Sequence, residues 1–469
     1  MTPNSKIDNP EIRWGKLFFI VAIAFLIIRY NGYPWIIKRS SDVLFTVSAL
    51  LVLFHLIYRR SWHPFWQISR GALTGVLLIL GGIFLASSLS YAVDGIKFNS
   101  ETIIDFGRFL EAGVIAILAA FFQSRDQGFY KKALLAQLST SVYFLVLVFP
   151  RAAFFADTFA MYRFQVFDNF PSGVGYYLIV SLSLTITFLF ASMGRGKHSF
   201  GLNATSDPRV KNGFGEEGVG QKRWFWFYYL VATGFTGVII WTQARGAWLG
   251  FLFAATIIVS VWVNKTRGKF LMKVIRGGLV VLSILVLGFW ILPNYARNEV
   301  ISRLFYGVRP IIEKNADFFE TKTIEVVNEV IDKKISFDFY EPSRPVLWVD
   351  YAKRISNRPL GLGLNHVRSP YGNNLTGPHN TILEILAMGG VLALLGYGYL
   401  FYLFFKNVFR KIRPVTDWRW PLCLLAAMGG LMLAAQFDNM STFRIMWVIL
   451  GLGIYAGFGQ QEPVLNSQS

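Results

Sequence analysis

Cysteine is all but missing. The chain of 469 residues has one, Cys423, so no intrachain disulfide can form and nothing in the fold depends on an oxidising compartment. Charge is scarce too: 16% of residues are Asp, Glu, Lys or Arg, against about 25% in an ordinary soluble domain. There is no P-loop and no Gly-rich dinucleotide fingerprint following a strand. What the chain does have is apolar bulk, with 54% hydrophobic residues, 44 Phe, 14 Trp and a mean hydropathy of +0.44. The apolar residues fall in blocks of about 17–25, the length that spans a bilayer as a helix. A soluble enzyme, a disordered chain and a disulfide scaffold are excluded.

The pattern predicts an all-α integral membrane protein with about 12 transmembrane helices. The spans are 17–37, 42–58, 71–92, 102–122, 131–155, 172–193, 223–241, 246–263, 274–292, 379–405, 418–437 and 443–458. The first follows a mostly polar stretch of sixteen residues without a small-residue cleavage site, so it is expected to be retained rather than removed as a signal peptide. Basic residues set the direction. With the N-terminus in the cytoplasm, inner segments carry 25 Lys and Arg and short outer loops carry 8. Both ends are therefore expected inside. Most of the +19 formal charge is then a topogenic signal that faces anionic lipid head groups, and nucleic acid is not an expected partner.

One outer segment is different in kind. Residues 293–378 make a loop of 86 residues with 12 basic and 10 acidic side chains, far beyond an ordinary connection. Ile324, Val327, Ile331 and Ile335 are spaced as one face of a helix. Pro345 suits the first turn of a second helix carrying Leu347, Trp348, Tyr351 and Ile355, which Pro359 closes. The chain thus divides into helices one to nine (1–292), a partly helical outer-loop domain (293–378), and helices ten to twelve with a tail (379–469).

Ionisable groups at membrane depth are functional candidates. Asp105, Arg108 and Glu111 recur on one face of the fourth span, an arrangement that reads as an ion-pair cluster, and Glu384 lies just inside the tenth. Of five histidines, His55 and His63 flank the inner end of the second span, His198 lies in an inner loop and His366 among outer turn residues. These read as interfacial or solvated. His379 is better placed, in Gly377-Pro378-His379-Asn380, where the long loop re-enters the bilayer at a helix N-terminus that favours a neutral, proton-accepting imidazole. Arg163, Arg245, Arg444 and Asp438 fall on the same outer face. Arginine binds phosphate bidentately and keeps its charge, so several of them beside a candidate base point to an anion site. No metal-ligand spacing accompanies them on that face.

Four segments resemble the O-antigen ligase and polymerase superfamily of bacterial envelope glycosyltransferases. Arg163 to Tyr177 is similar to that family's Arg-x-x-G-x-F-x-N-P-N stretch, and Thr242–Gly250 to its Ser-Arg-Gly turn. The third comprises Ser343-Arg344 with Trp348 and Pro359-Leu360-Gly361-Leu362-Gly363; the fourth is His379-Asn380-Thr381-Ile382-Leu383-Glu384 with Gly389-Gly390. Ala244 stands where a serine is usual, Phe170-Pro171-Ser172 where Pro-Asn is common, and Met388 where a polar or acidic residue is expected.

The resemblance implies a GT-C-like membrane glycosyltransferase of the bacterial inner membrane, acting at its periplasmic face without a cofactor or metal. In the ligase branch, the O-antigen chain passes from undecaprenyl pyrophosphate to the lipid A-core oligosaccharide. Under this reading His379 is the general base, Arg163 and Arg245 stabilise the leaving pyrophosphate, and Arg344 is a third contact. Asn380, Glu384, Asp438 and Arg444 are expected to bind substrate or orient the histidine. Membrane lipids surround the protein and an apolar groove holds the polyprenyl tail. An O-antigen polymerase or a protein O-oligosaccharyltransferase has the same donor needs. A secondary transporter, from another class, expects repeat symmetry and broken mid-membrane helices.

Overall fold

The computed structural model describes residues 9–26, 40–94, 100–126, 128–148, 171–193, 217–242, 244–265, 270–292, 297, 300–301, 344–364, 378–412, 418–438 and 440–455. These residues are almost entirely helical. In chain order the helices are α1 (Pro10–Phe25), α2 (Ser40–Tyr58), α3 (Trp62–Asp94), α4 (Ser100–Arg125), α5 (Phe129–Tyr143) and α6 (Pro171–Met193). They continue with α7 (Glu217–Trp241), α8 (Arg245–Lys265), α9 (Phe270–Trp290), α10 (Arg344–Asn357), α11 (Thr381–Ile412), α12 (Arg419–Ala434) and α13 (Arg444–Ile454). A π-helical turn, Phe144–Val148, extends α5.

Among the described residues seven helices are long and apolar enough to cross a membrane: α2, α6, α8, α9, α11 and the greater parts of α3 and α7. This is the architecture of an integral membrane protein. Each of the twelve expected ranges holds a helix, yet α12 and α13 are shorter apolar helices, and α4 carries Asp105, Arg108 and Glu111 in its first half. The first helix also begins earlier than expected. Pro10 pre-sets the first turn, and the polar residues that would argue against burial find neighbours, Glu11 lying 3.6 Å from His55 of α2. His55 is therefore buried against the protein, 2% exposed, and not solvated; His63 is exposed. His198 and the Ile324–Ile335 helix lie outside the described residues.

At the centre stands α6, buried nearly all round. A helix so placed must satisfy its own polar groups. The hydroxyls of Ser183, Thr185 and Thr187 do so by donating to the carbonyls of Ile179, Ser181 and Ser183, at 2.7, 2.8 and 2.7 Å. Helix α6 packs on α5, α7, α8 and α12; α8 also packs on α12, α13 on α4, and α3 on α11. Small residues bring these pairs close, as in membrane bundles generally: a Cβ on Gly250 would lie 2.5 Å from the Gly430 carbonyl oxygen, and one on Gly396 2.6 Å from that of Gly75.

Helix α11 is broken at Gly390 (φ +61°, ψ −159°). The gap is filled by the chain leaving α10. Val391 donates to the Pro359 carbonyl (3.0 Å) and Leu362 to that of Ala387 (2.6 Å), while Ser90 of α3 donates to the Leu362 carbonyl (2.5 Å). Non-helical backbone at this depth is tolerated only when buried protein satisfies it, as happens here. The segment turns at Gly361 and Gly363 (φ +99° and +79°), conformations that side chains rarely adopt. Pro359–Gly363 and Gly389-Gly390, far apart in sequence, form one joint.

Candidate active site

The site lies where α6, α8, α11 and α13 begin, so several positive helix ends meet there. His379 immediately precedes α11. Its backbone is left-handed (φ +47°), uncommon for a residue with a side chain, and the surroundings over-determine it. On one side the indole of Trp348, one turn into α10, donates to the Pro378 carbonyl (2.9 Å). On the other, Asn380 caps the helix, its side-chain oxygen accepting from the amides of Ile382 (3.0 Å) and Leu383 (3.1 Å). Thr381 ties this turn to the α12–α13 connection: its amide donates to the Ala435 carbonyl (2.9 Å), its hydroxyl to the Asp438 carbonyl (3.0 Å), and it accepts from the Met440 amide (2.8 Å). The strain is of the kind found at functional positions.

Asp438 faces the histidine. Its Oδ1 lies 3.8 Å from His379 Nδ1, and its Oδ2 accepts from the Tyr176 hydroxyl at 2.8 Å. The imidazole is partly exposed and the carboxylate less so, at 29% and 16%.

Arg245 is the first residue of α8 and is exposed. The tight turn before it is held by Thr242, whose hydroxyl donates to the Ile239 carbonyl (2.6 Å), and by the Trp248 indole, which donates to the same carbonyl (2.9 Å). The next residue, Gly246, fixes where the turn sits. A Cβ there would lie 3.1 Å from the Ala434 carbonyl oxygen, 3.2 Å from Phe437 Cβ and 3.4 Å from the Tyr176 hydroxyl. Through Tyr176 and Asp438, the Arg245 turn and His379 therefore share one end of the bundle and one packed shell.

The other candidates distribute differently. Glu384 sits in the first turn of α11 beside Ser441, its Oε2 sealed from solvent and unpartnered among the described residues. Arg444 gives its guanidinium to two carboxylates, a fork on Glu111 (2.8 and 2.8 Å) and a contact to Asp42 at 3.0 Å. That divides the expected cluster on α4: Asp105 pairs with Arg108 (2.9 Å), while Glu111 reaches across to α13. Asn380 serves the helix cap and also donates to Gln436 Oε1 and the Gln436 carbonyl, at 3.3 Å each. Arg344 opens α10, one turn before Trp348. Arg163 and His366 lie outside the described residues. Tyr351 of α10 is fully buried above α11, and burial pushes its hydroxyl up to about 12, so it stays neutral.

Sequence reasoning passed over Tyr176, Trp348 and Thr381 as site residues. Each stood inside a quoted motif, but only tertiary contact reveals what it touches. Among the described residues no group of three His, Cys, Asp or Glu is placed to hold a metal ion.

Residues 228–398 match the protein-family model Wzy_C, described as O-antigen ligase. The matched stretch takes in Arg245, Arg344, His379, Asn380 and Glu384, and stops short of Asp438 and Arg444. Comparison with curated proteins finds no match.

Proposed function

We propose, for a chain that belongs to the O-antigen ligase and polymerase superfamily, that it is the ligase. It would transfer O-antigen polysaccharide from undecaprenyl pyrophosphate to the lipid A-core oligosaccharide, at the periplasmic face of the inner membrane, without a metal. In this reading the fold is GT-C-like with twelve spans, both ends are cytoplasmic, and residues 293–378 form an outer domain over the site. The observation that supports it most is the joining of His379 to the Arg245 turn through Asp438, Tyr176 and Gly246.

The reaction is a single displacement. The acceptor hydroxyl oxygen attacks the anomeric carbon, the bond from that carbon to the pyrophosphate oxygen breaks, and the lipid pyrophosphate leaves with the electron pair. His379 Nε2 takes the hydroxyl proton as general base. Asp438, beside Nδ1, steadies the imidazolium that forms. Arg245 and Arg163 offset the charge developing on the pyrophosphate, with Arg344 as a further contact. Asn380 and Arg444 act through the frame, one capping α11 and the other clamping α13 to α2 and α4. Glu384, in the first turn of α11, is a second acid that could orient the histidine. The helix starts around them favour an anion, and water exclusion by the outer domain limits hydrolysis of the donor.

A broken helix is also expected of secondary transporters. Here the backbone groups freed at Gly390 are bonded to Pro359 and Leu362, which favours a structural joint over an ion site. Deletion in the native host separates the enzyme readings. Ligase loss leaves long polymer on the carrier lipid, polymerase loss leaves one repeat on the core, and loss of a protein O-oligosaccharyltransferase leaves target proteins unglycosylated. The first result is expected; either of the others rejects the ligase assignment.

A further inference from the structure

We propose that Tyr176 is a positioning residue: its hydroxyl holds the Asp438 carboxylate in the one orientation that faces His379. The proposal rests on the reading that His379 is the base, and adds to it a residue that no sequence motif marked for this task.

The geometry assigns the two oxygens of Asp438 to different partners. Oδ2 accepts from Tyr176 at 2.8 Å, and Oδ1 is the atom that lies 3.8 Å from His379 Nδ1. With one oxygen tethered, rotation about the last side-chain bond is restrained and the other oxygen stays on the imidazole side. At 3.8 Å the second contact is longer than a hydrogen bond, as catalytic contacts often are before substrate binds. It shortens as Nε2 gains a proton and the ring becomes an imidazolium.

The backbone does not need this hydroxyl. Asp438 is fixed through its carbonyl by Thr381 (3.0 Å), and His379 by Trp348 and the Asn380 cap. What Tyr176 bears on is the carboxylate, through Oδ2. The tyrosine is itself well held: it is 3% exposed, and its ring stands edge-on to Phe443 with centroids 5.6 Å apart. Its hydroxyl also lies under Gly246, 3.4 Å from where a Cβ would be. One oxygen atom thus stands between the arginine turn and the acid that serves the base.

The plain alternative is a buried hydroxyl that merely satisfies itself on a nearby carboxylate. A double-mutant cycle separates the two. Tyr176→Phe, Asp438→Asn and the double variant are purified full length and assayed with undecaprenyl-pyrophosphate-linked saccharide and rough lipopolysaccharide, with melting temperatures recorded. Tyr176→Phe is expected to lower kcat about 10-fold or more, the scale of a lost hydrogen bond to a charged group, with donor KM and melting temperature little changed. In the Asp438→Asn background it is expected to do nothing further.

A wild-type rate in Tyr176→Phe, an effect confined to donor KM, or a loss that multiplies with that of Asp438→Asn would each overturn the proposal while leaving the transfer reaction intact. A wild-type protein inactive toward lipid-linked saccharide would overturn the underlying reading, and this proposal with it. If Tyr176→Phe does not accumulate, 3-fluorotyrosine at position 176 replaces it. That changes the hydroxyl's acidity with little change in packing; kcat must then change with KM constant, and an unchanged kcat overturns the proposal.

Discussion

At position 379 the chain adopts a left-handed backbone with an imidazole attached, a conformation costing roughly 1–3 kcal/mol unless its surroundings hold it. Stability and activity should therefore separate there. His379→Gly should melt at or above the temperature of His379→Ala, since glycine relieves the strain, and both should lose about 10²–10⁴-fold in transfer rate. A His379→Ala variant that transfers at the wild-type rate would remove the base from the account. Arg245→Lys should keep the charge but lose the planar fork, so a donor KM well above wild type or a kcat well below it is expected. Much of this was readable beforehand. Pro378 marks a turn and a helix start at His379, whereas the Asn380 side chain was expected at the substrate and is found capping the helix. The positive φ was not readable, because no residue type at 379 calls for it; it follows from Trp348 and Thr381 gripping the turn from both sides. Tyr176 went unseen for the same reason, its partner lying 262 positions away.

At the scale of elements, the apolar blocks marked where helices lie, but not how they end or break. Gly389-Gly390 and Pro359–Gly363 were separate motifs in sequence, and their union depends on contact. Gly390→Ala would place a Cβ 2.2 Å from the Leu360 carbonyl carbon, besides the roughly 1–3 kcal/mol cost of a backbone region essentially reserved for glycine. Sharply reduced membrane abundance and melting temperature are expected, measured in detergent. Arg444 holds α13 to α2 and α4; the sequence showed an arginine on the right face but could not show that Glu111 and Asp42 would claim it. Arg444→Ala removes the cation that Glu111 and Asp42 share, at a cost of roughly 3 kcal/mol. A melting temperature unchanged by that substitution would deny the clamp.

The turn between α4 and α5 adds a pH dependence. Burial pushes the Asp126 carboxyl up, but hydrogen bonds from Lys132 (2.8 Å) and the Gly128 amide (2.9 Å) outweigh it, and the group sits below the usual carboxylate range. A lowered value stabilises the folded state above the ordinary carboxylate pKa, and the contribution is lost as pH falls below about 4 through the folded value. Wild type should be more stable than Asp126→Asn at neutral pH, and the two melting temperatures should converge on acidification.

For the whole molecule, the amount of apolar sequence was enough to indicate a membrane protein, and the arginine turn and the histidine do share one end of the bundle. Which side of the membrane that end faces is argued from the basic-residue bias. Cys423 is buried, so replacing it with Ala gives a background for single-cysteine labelling. His366→Cys should react with a membrane-impermeant maleimide in spheroplasts, and His198→Cys only after lysis; the reverse pattern would invert the topology. The central claim is that His379 and Arg245 act together on a lipid-linked diphosphate sugar. It is tested most directly by incubating purified protein in metal-free buffer with undecaprenyl-pyrophosphate-linked saccharide and rough lipopolysaccharide. Transfer by the wild type, abolished in His379→Ala and in Arg245→Ala at equal protein abundance, is the result expected; full transfer by both variants would contradict it.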